Sequence, residues 1–245
     1  PIRPTAAGYP VVLYSHGGGS ARLDNLALAA ELASHGYVVA SPDHGDCGVT
    51  LLPDQTLYAR PGDVSWTAGG LQDRVRDLSV VREELQRWGD SDPLFRAQLD
   101  LARLAAMGWS WGGDTAGEVS RLDPRYAAVV SLDQGGVTAS TAPALAASGT
   151  PAPSLTMNIG GNQGEFLFRP AKQQAYWLQL SGAVHQDFSA YSAWSNAGFV
   201  QGREAARTVH AYVRSFLNKH VRQMDDHLLD GPSPDFPRVL NFKHK

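Results

Sequence analysis

The sequence contains a single cysteine, Cys47, in 245 residues. That excludes an intrachain disulfide and a cysteine-held metal cluster. A reactive thiol needs an activating neighbour, and a loop thiol without a role is the reading adopted for Cys47. No apolar run approaches the ~20 residues of a membrane-spanning helix. The 21 basic residues face 24 acidic ones without clustering, and a net charge of −3 offers no electrostatic footprint for nucleic acid. Internal repeats and low-complexity tracts are missing too. The chain opens at Pro1 rather than methionine, which reads as a processed or trimmed start and leans toward secretion. What is present suffices for a sizeable core. With 43% hydrophobic and 18% charged residues, the composition suits one α/β domain over 1–245, with its core at about 10–221 and a surface tail at 225–245.

Short apolar runs alternate with helical patterns along the chain. "PVVLYSH" (10–16), "YVVASPD" (37–43), "LARLAAMGW" (101–109), "YAAVVSLD" (126–133), "PSLTMNIG" (153–160) and "AYWLQLSG" (175–182) read as buried strands. The segment 23–36 reads as a helix stopped by Gly36. In the segment 71–88, Leu71, Val75, Leu78, Val81, Leu85 and Trp88 form one apolar stripe at steps of three and four. A closing helix over 203–221 carries Ala205, Val209, Tyr212 and Phe216 on its stripe, followed by Lys219 or His220. Strands apolar throughout, with helices between them, predict a mostly parallel sheet covered on both faces. Sites on such sheets lie beyond the carboxyl ends of the strands. The polar residues expected there are His16, Asp43, Ser110, Asp133, Asn158 and His185.

Gly108-Trp109-Ser110-Trp111-Gly112 fits G-x-S-x-G. About one chain in ten of this size would carry that pattern by accident, so its setting must decide. Ser110 falls between a strand and a helix start, as a nucleophile elbow requires. A serine nucleophile needs a base. His185 follows the last strand pattern, whereas His35, His210, His220 and His227 sit on helices or in the tail. His44 precedes the serine, against the chain order serine, acid, histidine. Of the carboxylates between Ser110 and His185, Asp114, Glu118 and Asp123 belong to the elbow's own helix or its end. Asp133 and Glu165 remain, with Asp133 favoured by spacing. The loop "SHGGGS" (15–20) follows the first strand. It would bring the Gly18 N–H, or alternatively that of Gly17, to an oxyanion hole completed by the Trp111 N–H. Gly17, Trp109 and His16 are expected to border the substrate. The loop lacks the lysine of a P-loop and the spacing of G-x-G-x-x-G, so a phosphate cradle is the weaker reading.

Several segments together resemble the α/β-hydrolases of the platelet-activating-factor acetylhydrolase type and their bacterial esterase and lipase relatives. They are "VVLYSHGGGS", "LASHGYVVASPDHGD", "RVRDLSVVREEL", "LARLAAMGWSWGGDTA", "VVSLDQGG" and "GAVHQDFSAY", in that order. The resemblance implies an α/β-hydrolase fold, here a trimmed sheet of about six parallel strands without a large cap domain. It places the acid in "LDQ", hence Asp133 rather than Glu165, and the base in a "VHQ.F" segment, hence His185. It implies an ester hydrolase that needs no metal or organic cofactor and acts on short-acyl lipid or other small esters. The family commonly has His and Phe beside the nucleophile, where this chain has Trp109 and Trp111. The connection His44–Thr67, with Leu51, Leu52, Tyr58 and Trp66, is the expected pocket wall. An acyltransferase or thioesterase using the same residues is the alternative, and a non-catalytic binding module on the same scaffold is a third reading.

Overall fold

The chain enters its core at once. The computed structural model describes residues 5, 7–60, 64, 66–134, 141–160, 165–191 and 199–245. Strand β1 (Tyr9–Ser15) is followed by helix α1 (Leu26–Ser34) and strand β2 (Val38–Ala40). Gly36 adopts φ +85, the left-handed conformation that ends α1 where the sequence predicts. A hairpin, β3 (Val49–Leu51) and β4 (Leu57–Ala59), precedes helix α2 (Ala68–Ser91). Then come β5 (Leu99–Trp109), α3 (Trp111–Leu122), β6 (Tyr126–Leu132), α4 (Pro143–Ser148), β7 (Ser154–Asn158), α5 (Glu165–Phe168), β8 (Ala175–Leu180), α6 (Phe199–Arg222) and β9 (Val239–His244). The chain thus alternates strands with helices, and the main sheet runs β2-β1-β5-β6-β7-β8-β9.

The first six strands of that order are parallel, as expected, and the seventh is antiparallel. Side chains alternate between two cores because successive residues of a strand face opposite ways. Val12, Tyr14, Ala105, Met107, Val130 and Leu132 pack with α1 and α6. Val11, Leu13, Leu104, Ala106 and Val129 pack with α2 and α3 on the other face. The stripe of α6 is buried as predicted at Ala205, Val209, Tyr212 and Phe216. That of α2 is buried at Leu71, Val75, Leu78 and Leu85, but Trp88 stays 40% exposed and stacks on Phe95 of the next loop. Thr67 caps α2 by accepting from the Gly70 N–H at 3.2 Å, so the helix begins before the apolar stripe does.

The tail departs from its expected place on the surface. Leu229 and Val239 are buried, and β9 pairs with β8 through Tyr176↔His244, Trp177↔Lys243, Gln179↔Leu240 and Leu180↔Val239. Lys243 Nζ lies 4.4 Å from the Trp177 ring centre and 2.7 Å from Glu165. Few apolar pairs mark this strand because only one of its faces meets the core.

The chain order changes direction between β1 and β5. From β1 the chain moves to β2 on one side, then crosses to β5 on the other. A parallel sheet opens a crevice at such a point, beyond the carboxyl ends of the two strands. The loop after Ser15 and the turn after Trp109 both lie there.

Candidate active site

Ser110 sits in a turn that few residues could form. Its φ of 54° and ψ of −126° are strained for any side chain. Its N–H donates to the Leu132 carbonyl at 2.9 Å and its carbonyl accepts from the Gly113 N–H at 2.9 Å. The flanking glycines are steric necessities. A Cβ on Gly108 would lie 2.0 Å from the Gly112 carbonyl oxygen, and one on Gly112 only 1.9 Å from that of Ser15. The motif therefore lets strand, helix and the neighbouring β1 close in on one serine at the N-terminus of α3. That helix end leaves N–H groups without helical partners, among them that of Trp111.

Asp133 and His185 meet across the sheet edge. Asp133 leaves β6 at φ 38° and its N–H donates to the Met157 carbonyl at 2.7 Å. Its Oδ1 accepts from the Ile159 N–H at 3.1 Å, and its Oδ2 accepts from His185 Nδ1 at 2.5 Å. A carboxylate holding Nδ1–H leaves the imidazole lone pair on Nε2, the form a base needs. Glu165, the other acid that spacing allowed, opens α5 and is bound to Arg169 and Lys243. Residues 161–164 of its loop, and 135–136 of "LDQGG", lie outside the described residues.

Trp109 explains one of the two unusual indoles. Its ring packs on His185 with centres 4.8 Å apart, and its Nε1–H donates to the His185 carbonyl at 3.0 Å. The other side of the ring lies against Gly17, where a Cβ would come within 2.6 Å of it. The residue before the serine thus seats the histidine. Trp111 has another task. Its indole is 1% exposed and packs with Leu71, Ala142, Leu145 and Leu167, edge-on to Trp66 at 5.2 Å. Trp66 comes from the expected wall segment, of which 61–63 and 65 lie outside the described residues. Half exposed, it also covers Gly18, where a Cβ would lie 2.5 Å from its ring. Tyr191 adds a further ring 6.1 Å from Trp109. No such placement holds for Leu51, Leu52 and Tyr58, which are exposed on and beside the hairpin.

The loop after β1 is anchored from behind. The Gly17 N–H donates to Asp24 Oδ2 at 3.0 Å, so of the two loop N–H groups that the sequence offered it is already engaged. Asp24 also accepts from the Tyr14 hydroxyl at 2.7 Å, and burial raises its pKa to about 6. His16, expected to border the substrate, is fully buried instead. Its Nε2 accepts from the His44 N–H at 3.0 Å and its Nδ1 donates to the Gly17 carbonyl at 2.6 Å. Behind it, the Ser15 hydroxyl bonds His44 Nε2 at 2.8 Å, and His44 Nδ1 bonds Asp77 at 2.8 Å. Burial, reinforced by the Arg74 charge, lowers both His16 and His44 to about 3. Arg74 is 2% exposed and paired with Asp46. Sequence reasoning passed over Arg74 and Asp24, although a charged residue three after Leu71 and four before Leu78 marks a guanidinium on a buried face.

Two polar strand ends remain. Asp43 is held by Arg22 and Thr50, and Asn158 is buried at the end of β7. Cys47 is buried, and burial raises its thiol pKa. A cavity of about 860 Å³ lies by Arg82, Gln86, Asp90, Leu99 and Arg125 and contains none of the residues above. No described helix is long and apolar enough to cross a membrane.

Comparison with known proteins agrees with this architecture. The family described as platelet-activating factor acetylhydrolase, isoform II, matches residues 1–66. Platelet-activating factor acetylhydrolase of Cavia porcellus is 29% identical over 155 residues, which is 53% of this chain and 36% of that protein. The acetylhydrolase of Canis lupus familiaris is 24% identical over 268 residues, 90% of this chain and 59% of the relative. A probable 1-alkyl-2-acetylglycerophosphocholine esterase of Arthroderma benhamiae is 24% identical over 269 residues, 95% of this chain and 66% of its own length. The chain therefore spans less than two thirds of the two acetylhydrolases. Among solved structures, a ferulic acid esterase from Streptomyces cinnamoneus superposes with a TM-score of 0.79 at 25% identity, covering 97% of this chain and 75% of that one. By fold the chain is an α/β-hydrolase, similar in sequence to platelet-activating factor acetylhydrolases and in structure to a ferulic acid esterase.

Proposed function

We propose that the chain is a serine carboxylic-ester hydrolase. The observation that carries this reading is the Asp133–His185 pair, seated on Trp109 immediately before the strained Ser110. In the proposed cycle His185 Nε2 takes the Ser110 proton as Oγ attacks the ester carbonyl. Asp133 holds the imidazole and stabilises the imidazolium. The N–H groups of Gly18 and Trp111 receive the oxyanion. The proton then passes to the leaving alcohol, and water, activated by the same imidazole, frees the acid from the acyl-enzyme.

The Trp66 ring over Gly18 and Trp111 favours acyl groups short enough to pass beneath it or flat enough to lie against it. Acetyl esters and aromatic acyl esters both meet that condition, in keeping with the names of the relatives. The His185 side chain is 35% exposed, so water can reach an acyl-enzyme, which favours hydrolysis over acyl transfer. Hydrolysis of p-nitrophenyl acetate, with labelling of Ser110 by a fluorophosphonate, is the expected result. A folded protein that turns over no ester and leaves Ser110 unlabelled would end this reading. An acyl group passing to an added alcohol in preference to water would replace it with acyl transfer.

A further inference from the structure

We propose that Arg74 is a positioning residue for the oxyanion site, aiming the Gly18 N–H by gripping the carbonyl oxygens of His16 and Gly17. The inference rests on the ester-hydrolase reading. A trans peptide unit is planar, and its C=O and N–H point in opposite directions. Whatever fixes the Gly17 carbonyl therefore fixes the Gly18 N–H.

That carbonyl accepts from Arg74 Nη2 at 3.2 Å, His16 Nδ1 at 2.6 Å and the Ser20 N–H at 3.1 Å. The preceding peptide is held at both ends, with Arg74 Nη1 on the His16 carbonyl at 2.7 Å and Asp24 on the Gly17 N–H at 3.0 Å. Arg74 thus touches both peptides of the approach. The Gly18 N–H makes no hydrogen bond among the described residues.

A Cβ on Gly17 would come within 2.6 Å of the buried Trp109 ring, and one on Gly18 would push the half-exposed Trp66 ring aside. Glycine also has the freest backbone, so this loop does not hold its own peptide planes. The clamp supplies what the side chains cannot. The guanidinium is itself fixed, with Nε 3.0 Å from Asp46 Oδ1, Nη2 3.0 Å from Asp46 Oδ2 and Nη1 3.4 Å from the Ser15 hydroxyl. A planar fork can hold one carboxylate and two carbonyls at once, whereas an ammonium cannot. Its charge beside the Gly17 oxygen also polarises that peptide and strengthens its N–H as a donor.

Arg74→Lys, Arg74→Gln and Asp46→Asn test the proposal by kinetics with p-nitrophenyl acetate and by two inhibitors. One is a trifluoromethyl ketone, which binds as an oxyanionic adduct of the serine. The other is the matching methyl ketone, which reports ground-state binding. The expected kcat falls about 10- to 100-fold in Arg74→Gln and less in Arg74→Lys and Asp46→Asn, with KM within about threefold. The trifluoromethyl ketone should weaken by the same factor as kcat, and the methyl ketone should not.

A folded variant whose kcat and trifluoromethyl ketone affinity stay within about twofold of wild type would overturn the proposal. So would equal weakening of both inhibitors, the mark of a merely structural role. If Arg74→Gln does not fold, Arg74→Lys and Asp46→Asn decide alone. Wild-type protein that fails to react at Ser110 would instead overturn the hydrolase reading beneath it.

Discussion

The molecule holds two serine–histidine–aspartate sets near the loop after β1. Ser15, His44 and Asp77 form a continuous hydrogen-bonded chain. Ser110, His185 and Asp133 are the set proposed to be catalytic. In residue types the two are identical, and the first has the more complete hydrogen bonding. Its serine, however, is a fully buried strand residue, and its histidine is 1% exposed with its pKa lowered to about 3 by burial. Burial keeps substrate from that hydroxyl and disfavours the charged form of that imidazole. The second set has a serine on a strained turn beside a helix N-terminus and a histidine open to solvent. Exposure of the histidine and backbone conformation at the serine separate the buried strut from the proposed nucleophile, and residue identity does not.

The comparison can be broken most directly at the serines. Ser110→Ala is expected to lower kcat for p-nitrophenyl acetate by ~10⁴-fold or more without unfolding the protein. Ser15→Ala should cost less than about tenfold in rate but about 1–3 kcal/mol in stability by leaving His44 Nε2 without its donor. Similar rates for the two variants would dissolve the distinction. At the acids, Asp133→Asn should cost ~10³- to 10⁴-fold, because the amide no longer holds the working tautomer. Asp77→Asn should stay within about tenfold and Glu165→Gln within about twofold. A larger loss at Glu165 would move the acid one strand along.

Acid should act first on the buried set. His16 and His44 have folded pKa values of about 3 against an ordinary 6.5, so the unfolded chain binds more protons between those limits. Stability from this source is complete above pH 6.5 and lost as pH falls toward 3, with a limiting slope of about 1.4 kcal/mol per pH unit for each histidine. Asp24, raised to about 6 from 3.8, opposes this between those values. The three groups together leave a net loss of about 1.4 kcal/mol per pH unit on acidification through that window. Urea unfolding at pH 4.2, 4.8 and 5.5 should show this slope, and His44→Gln should flatten it. An unchanged slope would mean that the buried set does not titrate as described. The smallest effect belongs to Trp109→Phe, which keeps a ring under His185 but loses the bond to its carbonyl. A roughly two- to tenfold fall in kcat is expected, and no change would reduce the indole to packing.

What the sequence made legible follows from periodicity and steric need. Six strands and the helices α1, α2 and α6 are written in apolar runs, whereas the short helices α4 and α5 and the β3–β4 hairpin are not; the elbow is written in Gly108 and Gly112, positions where a Cβ cannot fit. Asp133 needed the family resemblance, since spacing alone also admitted Glu165. The rest depends on contacts across the fold. Nothing local tells that the Trp109 ring meets a histidine 76 positions later, or that His16 turns inward. Trp88 carries the same periodic signal as its buried neighbours and still stacks outside the core. β9 was hidden because an edge strand has only one face to bury.

That last strand bears on how the protein behaves before and after it folds. β8 is buried along its whole length, and without β9 its row of backbone donors and acceptors would face solvent as a template for other chains. With β9 in place, the edge instead presents Asn241, Lys243 and Lys245, while the opposite edge, β2, is only three residues long. Removing residues from 238 onward should therefore show up as aggregation during expression or refolding, measurable by light scattering, more than as a change in turnover by the soluble fraction.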